Sequence, residues 1–370
     1  MNRKIVTFIS LALLVVLAIG QVFTAGRDFS KMENRYLEAL PEADWETVSS
    51  GTWMQQLETY LADHVPNRDE WVQMKNTVLR LTGRKQIGQV VFAENDRLIQ
   101  VQDVSLDQLK KNVRLIANFA EALPDDVEMN MLIAPNASWI YQELLPEETL
   151  CYNPGQAWST IQEGMSDRVK ITLPYKVLSE HRDEAIYFKS DHHWTMRGAA
   201  YAYLEMAKDL GLDATDPFQY NIVKSKQKFL GSIYSQAPVL EYEGEEFEIF
   251  QVPGLKAVWT TGLQSGFVLD EEKLGEKDQY AAFFGGNYGL IRIENENARS
   301  KEKLLILKDS YANILVPFLV EDYCEIVMVD LRYYKGSIKA LVMEEAVDQI
   351  LAIYNMDFLC TDQSFAWLGV

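Results

Sequence analysis

Cysteine and histidine are scarce in this 370-residue sequence. The three cysteines, Cys151, Cys324 and Cys360, are widely separated and form no C-x-x-C pair. This spacing excludes a cysteine-based structural zinc site and a disulfide-rich scaffold. The four histidines leave few side chains that can transfer protons at neutral pH.

Positively charged residues are also fewer than negatively charged ones. Lys and Arg total 35 against 54 Asp and Glu, which gives a formal net charge of −19 at pH 7. An acidic protein repels phosphate backbones at long range, and the sequence has no basic stripe to offset this. We therefore predict no nucleic-acid partner.

Several motifs that identify common enzyme classes are missing. The sequence contains no G-x-S-x-G, no Walker A loop, no G-x-G-x-x-G and no H-E-x-x-H. These absences argue against the usual serine hydrolases, nucleotide-binding and dinucleotide-binding enzymes, and zincin proteases. We predict neither a cofactor nor a metal.

A long uncharged stretch lies at the N-terminus. After Arg3 and Lys4, the 22 residues 5–26 carry no charge. As a helix they would extend about 33 Å, enough to cross a hydrocarbon core of about 30 Å. The denser part, residues 5–19, also fits a cleavable signal peptide. Because the positive flank stays in the cytoplasm, we expect a single-pass cell-membrane protein with its body outside, or a secreted protein if the segment is cleaved.

Apolar periodicity predicts helices over residues 53–65 and 71–81, followed by alternating strands and helices. Strands are predicted at residues 129–134, 169–173, 186–188, 303–307 and 325–329. Helices are predicted at residues 105–120, 195–210, 312–319 and 338–354. Residues 229–298 have short alternating runs typical of an antiparallel insertion. Strands separated by helices indicate a mostly parallel sheet, with loops gathered at the carboxyl ends of the strands.

Two of the histidines lie in the segment Ser190-Asp191-His192-His193-Trp194. In extended backbone, Asp191 and His193 face the same side and His192 points away. A carboxylate at this spacing can hold an imidazole in one tautomer and stabilise its protonated form, as a catalytic dyad requires. The alternatives are a carboxylate that caps the next helix and a metal site, which the divergence of adjacent side chains disfavours.

A candidate nucleophile follows the apolar run at residues 303–307. Ser310 stands where this predicted strand leads into a helix, and the amides of a helix N-terminus can stabilise an oxyanion. The alternative is a serine that only caps the helix.

At these residues the sequence resembles the bacterial DHHW family. Residues 191–194 spell the motif that names the family, and further matching pieces occur in order at residues 33–35, 63–69, 284–288 and 308–313. The family is similar to the SGNH-like acetyltransferases of the AlgJ/AlgX type, which acetylate exported alginate together with a membrane-bound O-acyltransferase.

The resemblance implies an SGNH-like (flavodoxin-like) three-layer α/β/α fold with a mostly parallel sheet, an N-terminal helical extension and an antiparallel β insertion. The expected domains are a signal anchor or signal peptide at residues 1–26, a linker and helical extension at 27–100, and the catalytic domain at 101–370. The insertion is expected at about residues 229–298.

The resemblance also implies a catalytic triad, in which Ser310 is the nucleophile, His193 the base and Asp191 the orienting acid. The candidates for oxyanion or substrate contacts are Asn287, Asn313, Tyr311 and Arg332. For Arg332, a surface ion pair is an equal alternative. The sequence departs from the Gly-x-Ser found around many such serines, because Lys308 precedes Ser310 by two residues.

The implied function is an extracytoplasmic O-acyltransferase that acetylates a cell-surface or exported polysaccharide through an acyl-serine. A membrane-bound O-acyltransferase would be its acyl donor. One alternative is a carbohydrate acetylesterase on the same triad, in which water takes the acyl group. The other is a non-catalytic glycan-binding or assembly protein, suggested by Lys308. The acidic body favours a neutral glycan, or a local basic groove for an anionic one.

Overall fold

The computed structural model of the protein describes residues 4–8, 11, 12, 15, 20 and 27–369. The signal anchor or signal peptide predicted at residues 1–26 lies mostly outside the described residues. Among those that are described, no helix has both the length and the apolar character needed to cross a membrane.

The chain divides into two compact units. The first contains Met1–Gly88 and Tyr234–Tyr242, and the second contains Gln89–Ile233 and Glu243–Val370. Every residue predicted for the catalytic site belongs to the second unit. The domain boundaries near residues 26 and 100 stay predictions.

The regular elements are numbered in chain order. The strands are β1 Phe29–Ser30, β2 Arg35–Tyr36, β3 Gln86–Ile87, β4 Val90–Phe92, β5 Leu98–Gln100, β6 Glu128–Ala134, β7 Val169–Thr172, β8 Ile222–Lys224, β9 Glu248–Phe250, β10 Val258–Thr261, β11 Gln264–Phe267, β12 Leu290–Glu294, β13 Lys303–Lys308, β14 Glu325–Val329 and β15 Gln349–Asn355. The α-helices are α1 Trp45–Ser50, α2 Thr52–Asp63, α3 Arg68–Leu81, α4 Leu106–Glu121, α5 Ala137–Ile140, α6 Pro154–Gly164, α7 Tyr175–Glu180, α8 Met196–Leu210, α9 Ser232–Gln236, α10 Ala312–Leu315, α11 Ile338–Glu344 and α12 Met356–Thr361.

The second unit is built on an eight-stranded sheet. The strand order is β11-β10-β12-β14-β13-β15-β6-β7. The five strands from β14 to β7 are parallel to one another, and β10, β11 and β12 add antiparallel pairs at the other side. This confirms the predicted mixed α/β class with a mostly parallel sheet.

Strand β13 shows why the sequences of the central strands are continuous runs of apolar residues. Leu304 and Ile306 belong to one buried cluster, whereas Leu305 and Leu307 belong to another. Both faces of the strand are therefore covered, so no polar side is needed. The strand ends at Lys308, two residues before Ser310.

The helix predicted at residues 338–354 is wrong over its second half. The helix ends at Glu344, Ala346 has a left-handed φ of 49°, and β15 runs from Gln349 to Asn355 between β13 and β6. A short apolar run that is buried on all sides has no period that separates strand from helix, and this explains the error.

Two further predictions need correction. In place of the strand expected at residues 186–188, the structure has an isolated antiparallel β-bridge between Tyr187 and Trp194. The chain reverses direction between these two residues, so no longer strand forms. The helix expected at residues 312–319 is α10 followed by a 3-10 turn, Val316–Phe318, that includes a proline. The helices predicted from residues 105 and 195 are confirmed as α4 and α8.

Candidate active site

The loop at residues 189–194 is held by its own backbone. The Phe188 N–H donates to the His193 carbonyl at 3.2 Å, and the Thr195 N–H donates to the Ile186 carbonyl at 3.0 Å. Thr195 then caps helix α8 by accepting a hydrogen bond from the Gly198 N–H. These hydrogen bonds fix the loop as a tight turn that leads directly into helix α8.

Asp191 is buried, and its carboxylate is bonded both within the loop and to Ser232. Its Oδ1 lies 2.6 Å from His193 Nδ1 and accepts from the His193 N–H at 3.0 Å. Its Oδ2 accepts from the Ser232 N–H at 2.7 Å. A Cβ on Gly231 would lie only 2.3 Å from the Asp191 Cβ, so glycine is required for this close approach.

His193 links Asp191 to Ser310. Its Nε2 lies 2.7 Å from Ser310 Oγ. Because Asp191 is placed to accept from Nδ1–H, Nε2 is left to accept the serine proton. The ring of Tyr280 stacks on the imidazole with a centroid distance of 3.7 Å and an interplanar angle of 5°. The structure therefore brings the three predicted triad residues into one hydrogen-bonded chain.

The turn that carries Ser310 is fixed by the buried carboxylate of Asp309. This carboxylate accepts from the Tyr311 N–H at 2.8 Å and from the Asn355 backbone and side-chain N–H groups, each at 2.7 Å. The Tyr280 hydroxyl donates to the Ser310 carbonyl at 2.7 Å. Among the described residues, the Ser310 N–H has no partner, which leaves it available as a donor.

The electrostatics of the loop favour an ionised acid beside an imidazole. Burial alone would raise the pKa of Asp191, but the charges of His193 and His192 and the hydrogen bonds to the carboxylate outweigh it, so this pKa is strongly lowered. Burial and the charge of His193 lower the pKa of His192 to about 4. The Asp191 carboxylate is thus held in the form that can stabilise an imidazolium.

Among the described residues, this loop also contains a group of side chains close enough together to hold a metal ion. Ligand atoms of Asp191, His192 and His193 all lie within 4.8 Å of one another. His192 Nδ1, however, lies 2.7 Å from Ser232 Oγ, and His193 Nε2 lies at hydrogen-bond distance from Ser310. The side chains are arranged as hydrogen-bond partners of different groups.

Asn287 and Asn313, predicted as oxyanion candidates, meet each other at Lys308. Lys308 Nζ donates to Asn313 Oδ1 at 2.8 Å and to Asn287 Oδ1 at 3.1 Å. Asn313 Nδ2 donates to Asn287 Oδ1 at 3.2 Å. Lys308 and Asn313 are buried, whereas Asn287 is exposed.

The polar groups of Tyr311 and Arg332 are both bonded within the protein. Tyr311 is fully buried, its hydroxyl donates to the His192 carbonyl and its own carbonyl accepts from Trp194 Nε1. Arg332 forms a two-pronged ion pair with buried Asp330, at 2.6 and 2.9 Å. We therefore correct Tyr311 to a packing residue. Arg332 makes an ion pair, but with a buried carboxylate and not a surface one, and its contact with substrate stays a prediction.

Three contributors to the site escape the sequence analysis: Tyr280, Gly231 and Ser232. Each comes from the region between α8 and β12, and none belongs to a motif that indicates chemistry. Their only signal is the unusual richness of that region in aromatic residues and glycine. Their contacts depend on tertiary placement.

A wide cleft of about 1430 Å³ lies in the same unit. The hairpin β10–β11 and the short 3-10 helix Glu271–Gly275 form much of its wall, and Gly285 and Tyr288 border it. These last two residues flank Asn287 in the chain. The triad residues do not line this cleft.

Residues 91–329 match the model of the DHHW protein family. Among solved structures, a DHHW family protein from Eubacterium siraeum is 21% identical with a TM-score of 0.63, covering 76% of this chain and 94% of the other. Bacillus cereus PatB1 is 20% identical with a TM-score of 0.65, covering 75% and 98%. At this identity the likeness shows a shared fold.

PatB1 has also been solved with a sulfonyl adduct, at 20% identity and a TM-score of 0.64 over 76% of this chain and 99% of the other. No curated protein sequence matches the chain.

Proposed function

Because the match to residues 91–329 covers more than half of its length, the chain belongs to the DHHW family, and we propose that it is an extracytoplasmic O-acyltransferase. Its reaction would acetylate a cell-surface or exported polysaccharide through an acyl-serine. The observation that carries this proposal is the hydrogen-bonded chain from Asp191 through His193 to Ser310.

The first half-reaction forms the acyl-enzyme. Ser310 Oγ attacks the carbonyl carbon of the acetyl donor while His193 Nε2 takes the hydroxyl proton. The carboxylate of Asp191 stabilises the resulting imidazolium through Nδ1–H. When the tetrahedral intermediate collapses, the leaving group takes the proton from His193 and the acetyl group stays on Ser310.

The second half-reaction transfers the acetyl group to the glycan. His193 removes the proton of a sugar hydroxyl, whose oxygen attacks the acetyl-Ser310 carbonyl. Collapse of this second intermediate returns the proton to Ser310 Oγ and releases the acetylated sugar. If water enters instead, the same steps make the protein an acetylesterase.

Both intermediates place negative charge on the former carbonyl oxygen. The Ser310 N–H, which has no partner among the described residues, can donate to it. The side-chain amide of Asn287 is the second donor that we propose. Removing one such donor typically lowers kcat by about 10²–10³-fold, so this pair accounts for a large part of the rate.

The first test is the Ser310→Ala variant with p-nitrophenyl acetate as substrate. We expect acetyl release to fall to the rate without enzyme, because Ser310 supplies the only hydroxyl that bonds His193 Nε2 among the described residues. Ser300→Ala is the matched control, since the Ser300 hydroxyl bonds the Asp322 carbonyl away from the triad. Full activity in Ser310→Ala would overturn the proposed mechanism.

The acceptor is tested on the native glycan. In a strain lacking the protein, loss of O-acetyl groups from a surface or exported polysaccharide supports the transferase. A gain of O-acetyl groups supports the esterase. An unchanged acetyl content, combined with glycan affinity and no acetyl release, would favour the non-catalytic alternative.

We also infer that residues 5–26 anchor the protein in the cell membrane, and that a membrane-bound O-acyltransferase supplies the acetyl group. The uncharged stretch and its flank of Arg3 and Lys4 support the anchor, and the family resemblance supports the donor. Protease added outside intact cells should digest the body of the protein. Loss of glycan acetylation on deletion of a neighbouring membrane O-acyltransferase gene would support the donor.

A further inference from the structure

Lys308 is an unusual residue to find beside a candidate nucleophile. Its side chain is buried, 2% exposed, at the end of β13. The three donors of an ammonium ion must be satisfied in such a place. Here Asn313 Oδ1 lies at 2.8 Å, Asn287 Oδ1 at 3.1 Å and the Asp330 carboxylate at 3.8 Å.

This arrangement decides which way the Asn287 amide faces. An ammonium ion only donates hydrogen bonds, so the Asn287 atom turned toward Lys308 must be the carbonyl oxygen. Asn313 Nδ2 donates to the same oxygen at 3.2 Å. The NH₂ group of Asn287 must therefore point away from both, and within the described part of the chain it has no hydrogen-bond partner.

The backbone before Asn287 is also held in an uncommon conformation. Phe284, Gly285 and Gly286 have φ values of 62°, 73° and 133°. A positive φ at a bulky residue such as Phe284 is energetically unfavourable and persists only where the surroundings impose it. The turn thus presents an exposed amide from a constrained position, next to the buried ammonium that orients it.

We propose that Lys308 is a positioning residue for acyl transfer, whose ammonium group orients the Asn287 side chain so that its free NH₂ donates to the oxyanion at Ser310. This inference rests on the proposed function. Lys308 itself touches neither substrate nor reacting atoms. It acts through Asn287 and, by holding Asn313, keeps the start of α10 in place behind the nucleophile.

The charge state of Lys308 is compatible with this role. Burial lowers its pKa to about 8, with the charge of Asp330 opposing the shift. At pH 7 the group is therefore still mostly an ammonium ion. Asp330 is in turn paired with Arg332, so a neutral side chain in place of Lys308 would not leave an isolated buried carboxylate.

The test is a double-mutant cycle with Lys308→Met and Asn287→Ala, following kcat and KM for p-nitrophenyl acetate. Each single change should lower kcat by about 10²-fold with little change in KM, as the loss of one oxyanion donor does. The double variant should be no slower than Asn287→Ala alone, because both changes remove the same interaction. Losses that multiply to about 10⁴-fold would overturn the proposal, as would a Lys308→Met variant with wild-type kcat.

Lys303→Met is the matched control at the opposite end of the same strand. Lys303 is partly exposed and pairs with Glu325, so its loss should leave kcat unchanged. If Lys308→Met does not fold, the cycle is run with Lys308→Gln, which keeps an N–H donor at this position. We expect Lys308→Gln to lower kcat by less than Asn287→Ala does, and multiplicative losses with Asn287→Ala again count against the proposal.

Failure of this inference differs from failure of the proposed function. If Ser310→Ala is inactive and Lys308→Met is as fast as wild type, the proposed triad is supported and only the proposed role of Lys308 is contradicted. If the wild-type protein releases no acetyl group, or Ser310→Ala is fully active, both proposals fall.

Discussion

Two pairings of buried carboxylates, one taken from each compact unit, differ in their partner. In the first unit, Asp63 accepts from the Arg35 guanidinium at 2.5 and 2.9 Å, and Asp69 accepts from Arg27 at 2.7 Å through both oxygens. In the second unit, Asp191 faces the imidazole of His193 at 2.6 Å.

The partner decides what each carboxylate can do. A guanidinium is always charged and only donates hydrogen bonds, so an Asp–Arg pair holds two segments together but cannot transfer a proton. An imidazole gains and loses a proton near neutral pH, and its second nitrogen remains free to meet a hydroxyl. An Asp–Arg pair such as Asp63 with Arg35 can therefore only support structure, whereas the pairing of Asp191 with His193 has the chemistry that the proposed proton transfer needs.

The largest effect is expected for Asp191→Asn. Asp191 accepts with both oxygens, Oδ1 from His193 and Oδ2 from the Ser232 N–H, whereas asparagine has a single acceptor oxygen. If that oxygen faces Ser232, the NH₂ group faces His193 Nδ1 and favours the wrong tautomer, and in either orientation the negative charge that stabilises an imidazolium is lost. We expect kcat to fall by about 10⁴-fold, as in other serine triads. The melting temperature should change far less than the rate. A kcat within tenfold of wild type would remove the proposed distinction between the two kinds of carboxylate.

The next effect is expected for Asp63→Asn, which also serves as the control for Asp191→Asn. The change breaks the pair with Arg35, and we expect a loss of about 2 kcal/mol in the free energy of unfolding. This is less than for a fully buried pair, because the Arg35 side chain is 39% exposed. The kcat of the folded protein should stay at the wild-type value. A large loss of kcat at full stability would contradict a purely structural role for this pair.

The same residue predicts a pH dependence of stability. The hydrogen bond from Arg35 is the main reason that the pKa of Asp63 is lowered to about 2, against about 3.9 in an unfolded chain. Because the folded pKa is the lower one, this stabilisation is present above about pH 4 and is lost as the pH falls toward 2. Denaturant unfolding from pH 5 to pH 2 should show this loss in wild type and lack it in Asp63→Asn.

The smallest effect is expected for Asp357, a buried carboxylate for which no cationic partner is found among the described residues. Burial raises its pKa to about 6, although the Tyr152 hydroxyl donates to it at 2.8 Å. The folded pKa is now the higher one, so stability is lost as the pH rises from about 4 through 6. Asp357→Asn should gain about 1–2 kcal/mol at pH 7 and nothing at pH 4. A variant that melts below wild type at pH 7 would contradict this sign.

Much of the fold was predictable because its signals are local. Ser105 and Thr195 cap α4 and α8, and Gly211 ends α8 in the left-handed conformation, as the residue types indicate. The errors occurred where tertiary burial overrides periodicity. The second half of the helix predicted at residues 338–354 is the strand β15, because a strand covered on both faces carries no alternation of polar and apolar residues.

The site divides in the same way. The pairing of Asp191 with His193 follows from a spacing of two residues in one loop. The stacking of Tyr280 and the close approach of Gly231 carry no sequence signal, since each is a contact between distant segments. Tyr311 is predicted to contact the substrate, but the surrounding residues bury it completely.

The sequence by itself therefore determined what depends on neighbours along the chain: the pairing of Asp191 with His193 in one loop, the caps of the main helices and the strand predicted at residues 303–307. Only the tertiary structure decided that Ser310, 117 residues from His193, lies 2.7 Å from its Nε2. It also decided that Lys308 turns toward two asparagine carbonyls. The physical reason is that a buried hydrogen bond between distant segments depends on the order of the strands in the sheet. Local periodicity in the sequence contains no information about that order.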